Sequence, residues 1–70
     1  MSIEIHVPPA VIRDRAEHAV QAARRSIRRA AMAVETAAFT GGDVQACVED
    51  VVRAGTLLEQ AEAEYAAVTA

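Results

Sequence analysis

The sequence predicts an all-α fold, an antiparallel two-helix hairpin with a short extended N-terminal arm that forms a helical bundle by oligomerisation. Three observations predict it. Two long stretches carry apolar residues at alternating spacings of three and four, the mark of one buried helical stripe. Between them stands the only pair of adjacent glycines, Gly41-Gly42. The chain has 70 residues and a single cysteine, so it forms one domain, and a core of this size rarely supplies more than about 3–5 kcal/mol without a staple. No intrachain disulfide can form and no cluster of metal ligands occurs, which leaves association with another chain as the remaining source of stability.

In chain order, residues 1–8 form the arm. Ile3, Ile5 and Val7 alternate with Ser2, Glu4 and His6, the period-two pattern of a half-buried strand. A lone strand has no ladder partner, so it pairs with a second copy or lies over the helices. Pro8-Pro9 ends it, and because proline is tolerated at the first helical position, helix 1 is expected over 9–39. Its stripe runs Ala16, Val20, Ala23, Ile27, Ala30, Val34, Ala37. The turn is expected over 40–43, where glycine admits the left-handed backbone that closes a helix and Asp43 can accept from the open N–H groups of the next. Helix 2, over 43–68, repeats the device with Cys47, Val51, Ala54, Leu58, Ala61, Tyr65 and Val68. Val52 and Leu57 flank that stripe on opposite sides, making it wider than one partner helix covers. On its outer face Glu49 and Arg53 stand at i and i+4, an order that favours pairing.

Composition narrows the function classes. The chain is rich in alanine, lacks lysine altogether and holds only two aromatic residues, Phe39 and Tyr65. A formal net charge of −3 argues against nucleic-acid binding driven by bulk charge. The charge is uneven, however, net basic from Arg13 to Glu35 and net acidic from Asp43 to Glu64. No apolar run reaches the roughly 20 residues that span a bilayer, and no basic start followed by an apolar stretch marks a signal peptide. A cytoplasmic protein is expected.

Few residues suggest chemistry. Arg24-Arg25 and Arg28-Arg29 with Met32 form a candidate recognition patch, four guanidinium groups within about 140° of arc, suited to an acidic partner or phosphate, or else to the acidic second helix. Folding back at the turn brings Arg24 near Leu58 and Glu59. Asp14 and His18, one helical turn apart, supply too few ligands for a metal on their own. Cys47 lies on the apolar stripe, where it reads as a small buried hydrophobe. Glu59, Glu62 and Glu64 are spread around their helix instead of forming a carboxylate pair. No catalytic constellation or phosphate-cradling loop is found, so neither enzymatic activity nor a cofactor is expected.

Two family resemblances follow from these residues. Phe39-Thr40-Gly41 between two amphipathic helices resembles the Trp-x-Gly hairpin of the WXG100 (ESX-type) proteins, and Val7-Pro8-Pro9-Ala10-Val11-Ile12-Arg13 resembles the lead into their first helix. Phe39 stands where that family has tryptophan. Thr69 stands four residues after Tyr65, where the family's export motif has an acidic residue. The resemblance implies a helical-hairpin dimer acting as a secreted factor or its carrier. The first half, Ser2 to Val7, Pro8 to Ala23 and then Arg25-Ser26, also resembles the ribbon-helix-helix repressors and antitoxins. That likeness implies a dimer whose paired strands present Ser2, Glu4 and His6 to the DNA major groove. A helix break between Ala23 and Ser26 would accompany it.

The expected function is a small non-catalytic helical protein–protein interaction or assembly module, partnered by itself or by another helical protein. It could be a factor like the WXG100 proteins or a small subunit of a larger assembly. Val20, Ile27, Val34, Val51, Leu58 and Tyr65 are the expected assembly residues. The alternative is a dimeric ribbon-helix-helix-type DNA-binding regulator or antitoxin.

Overall fold

The computed structural model describes residues 7–70 as two helices in chain order, α1 (Pro9–Thr40) and α2 (Val44–Thr69). The expected strand, with Ser2, Glu4 and His6, lies outside the described residues; Val7 and Pro8 lead into α1 without regular structure.

α1 starts at Pro9 because the ring locks a helical φ and the missing N–H has no partner to lose there. The Pro8 carbonyl accepts from Val11 N at 3.0 Å and Ile12 N at 3.3 Å, closing the first turn without a side-chain cap. The helix then runs 32 residues without interruption, straight through Ala22–Ser26. It ends one residue later than the sequence predicts, as Thr40 remains helical and its Oγ1 donates to the Thr36 carbonyl at 2.9 Å.

The reversal is made by Gly41, the one residue described with a positive φ, at 76°. Its N–H and that of Gly42, the latter at 2.8 Å, both point to the Ala37 carbonyl and satisfy acceptors that a helix end leaves open. Asp43 then caps α2, its Oδ1 accepting from Ala46 N at 3.1 Å. Asp43 is therefore the cap and α2 begins at Val44.

The helices pack antiparallel along the two stripes. Val20, Ala37, Ala54 and Ala61 are buried, while Ala16, Ala23, Ile27, Ala30, Val34, Cys47, Val51, Leu58 and Tyr65 are half-buried. Three of the four buried residues are alanine, so the seam gains area by close approach of backbones and not by bulk. Val68, expected in the stripe, is instead exposed. It lines a groove with Ile12, where α1 is near its own start and offers little cover.

The register is set by Ile27 opposite Gly55, which puts Arg24 level with Leu58; Ile12 and Val68 line one groove between the helices and Arg24 and Glu62 another. The hairpin measures 59 × 27 × 13 Å, so its thin dimension is about one helix diameter. No described helix is long and apolar enough to cross a membrane.

Candidate interaction surface

Burial by a single neighbouring helix leaves much of each amphipathic face uncovered. Among large apolar side chains, Val11, Ile12, Met32, Phe39, Val44, Val48, Val52, Leu57 and Val68 are exposed. Phe39, beside the turn, is 94% exposed and Val52 is 65% exposed. They do not scatter evenly. Val44, Val48 and Val52 recur every fourth residue, so they line one edge of α2 next to the seam. Leu57 and Val68 lie toward the other edge, where Ile12, Ala16 and Ala19 of α1 meet Ala67 and Val68 of α2 in a shallow groove. Val52 and Leu57 are expected beside the stripe, whereas Val44 and Val48 are not; their i, i+4 spacing with Val52 is the sequence signal for them.

The six residues expected to carry assembly occupy the seam between α1 and α2. Val20 is 7% exposed, and Ile27, Val34, Val51, Leu58 and Tyr65 are half-buried. Inside one chain, then, they hold the hairpin closed, and the valine edge of α2 and the Ile12–Val68 groove lie to either side of them.

The arginine patch does not share one groove. Arg24 lines a groove of about 270 Å³ with Glu17, Val20, Gln21, Glu62 and Tyr65. Arg28 sits one turn on, and its Nε donates to the Arg24 carbonyl at 3.4 Å. Arg24 thus borders α2. Arg29 instead lines an open groove on α1 with Met32, Ala33, Thr36 and Thr40, and Arg25 lies one turn before Arg29. All four arginines are exposed. Among the described residues the one ion pair is Arg53 Nη1 to Asp50 Oδ1 at 3.3 Å. Arg53 thus turns to the residue three positions back instead of to Glu49, as an exposed guanidinium choosing between two nearby carboxylates can do at small cost. The Arg24 guanidinium forms no ion pair with Glu59 or Glu62 across the seam.

The remaining candidates have local roles. His18 Nδ1 donates to the Asp14 carbonyl at 2.7 Å, so that ring nitrogen is bound within its own helix. Among the described residues no group of three or more His, Cys, Asp or Glu is placed to hold a metal. Cys47 is half-buried in the seam.

No family model matches the chain, and neither any curated protein sequence nor any solved structure is significantly similar to it.

Proposed function

We propose that the chain is a non-catalytic helical assembly module whose first partner is a second copy of itself. The observation that carries this reading is the surface left uncovered. The chain exposes 5692 Å², whereas a compact monomer of its mass, 7.4 kDa, would expose about 4,200 Å². Its radius of gyration is 16.9 Å, against about 11 Å for a compact chain of this length. The excess of roughly 1,500 Å² exceeds the ~800 Å² per partner that a standard interface removes. A layer one helix thick, apolar on both edges of its seam, gains cover by stacking on a second such layer into a four-helix bundle.

The test is sedimentation equilibrium over a concentration series, with far-UV circular dichroism on the same samples. A helical dimer or larger species that dissociates on dilution is expected. A monomer at every concentration, helical or not, would overturn self-assembly.

A further inference from the structure

We propose that the second copy stacks with its turn at the same end, so that α1 of each chain lies over α2 of the other and Arg24 and Arg28 face the partner copy's acidic helix. This rests on the self-assembly reading and adds the geometry to it.

Beside the seam, each helix carries a second ridge. On α1, Glu17, Gln21, Arg24, Arg28, Ala31, Glu35 and Ala38 recur at spacings of three and four, and on α2 so do Val48, Val52, Gly55, Glu59, Glu62 and Ala66. The groove holding Gln21, Arg24 and Glu62 shows that both ridges border the same face of the hairpin. Along this face charge and apolarity change together. Near the turn it presents Val44, Val48 and Val52 on α2, and Ala31 and Ala38 on α1. Farther from the turn it presents Glu59 and Glu62 on α2, and Arg24 and Arg28 on α1, with Glu17 on α1 beyond them near the far end. Glu35 is the one charge in the apolar half.

Two-fold symmetry allows two ways to stack this face on itself. With the axis along the hairpin, each α1 covers the partner's α2 at equal height. In the register of Ile27 opposite Gly55, Ala31 and Ala38 then lie over Val52 and Val44, Glu35 over Val48, Arg24 over Glu59 and Gln21 over Glu62, with Arg28 one turn from Glu59. With the axis across the helices, each α1 covers the other α1 head to tail. Arg24 lies at the midpoint of α1, so that arrangement sets the arginine pair against its own copy and the valines against the charged half. The whole helices repeat the bias: α1 has six arginines against three acidic residues, and α2 has one arginine against five. Exposed charge pairs add little affinity, but like charges in register are a strong selector of orientation. Among the described residues no carboxylate across the seam pairs with the Arg24 guanidinium.

The experiment has two readouts. Spin labels on Thr40→Cys, in a Cys47→Ala background, should give an inter-label distance near two helix spacings, on the order of 20–30 Å. Turns at opposite ends would separate the labels by about 48 Å or more, and that result would overturn the proposal. In the second readout, Arg24→Glu with Arg28→Glu should retain helicity and weaken the homodimer roughly ten- to hundredfold at low salt. Mixing it with Glu59→Arg/Glu62→Arg should restore wild-type affinity as a heterodimer. A wild-type dimer indifferent to the arginine reversal would refute this geometry while sparing self-assembly; a monomeric wild type would refute both.

Discussion

The glycines separate backbone demands from packing demands, since the three of them sit in three different environments. Gly41 has φ +76°, and a Cβ built on it meets nothing within 4 Å. Alanine there costs only what a left-handed L-residue costs, about 1–2 kcal/mol. Restriction of the unfolded chain returns about 0.4–1 kcal/mol, leaving a net loss near 1 kcal/mol. At Gly42 a Cβ would stand 3.4 Å from the Ala37 Cβ, ordinary contact with no positive φ, so Gly42→Ala should be close to neutral. Gly55 lies inside α2, where a Cβ would meet Ile27 Cδ1 at 3.8 Å. Gly55→Ala should therefore stabilise by about 0.5–1 kcal/mol, the usual cost of a mid-helix glycine. With about 4–8 °C per kcal/mol for a domain of this size, Tm should fall by several degrees for Gly41→Ala and rise by several for Gly55→Ala. The assay is thermal unfolding by circular dichroism at one fixed protein concentration, because self-association makes Tm depend on concentration. If Gly41→Ala melts no lower than Gly42→Ala, the left-handed cap does not hold the turn and the reasoning fails.

Neighbouring leucines should behave differently. Leu58→Asp puts a carboxylate into the seam, and its loss of about 2–4 kcal/mol should abolish most helicity, whereas Leu57→Asp, at a side chain 55% exposed, should keep it. Retained helicity in Leu58→Asp would show that the seam is misplaced. Asp43→Ala removes the bond to Ala46 N and should cost about 1 kcal/mol in urea unfolding, with Asp43→Asn retaining most of that stability. Arg25→Glu/Arg29→Glu reverses the two arginines that lie off the ridge proposed to stack, so sedimentation mass and helicity should stay at wild-type values; dissociation would move the interface to that side. Fluorescence anisotropy with short DNA duplexes at physiological salt tests the DNA-binding alternative, and no saturable binding is expected from a chain of this charge.

The hairpin was legible because its cues are local. Alternating spacings of three and four placed the seam residue by residue from Ala16 to Ala37 and from Cys47 to Tyr65, and the structure covers those same residues. Pro9, Gly41 and Asp43 announced the ends because each acts on its own backbone or on one three residues away. The candidate surface was less legible. The periodicity that finds an apolar stripe does not say whether a neighbour in the same chain or in another will cover it, so the residues read as an assembly interface prove to line the intrachain seam.

The sequence alone determined that there are two helices, where each begins and ends to within a residue, and which stripe each helix turns inward, because these depend on periods and caps that act over a few residues. Tertiary structure decided how far that stripe is covered. The register set by the turn places Arg24 by Glu62 and Ile27 by Gly55. It also sets Arg24 in a groove with α2 residues and Arg29 in a different groove, and leaves the valine edge of α2 uncovered. These are relations between residues about thirty positions or more apart, and only the antiparallel packing of two helices brings them side by side.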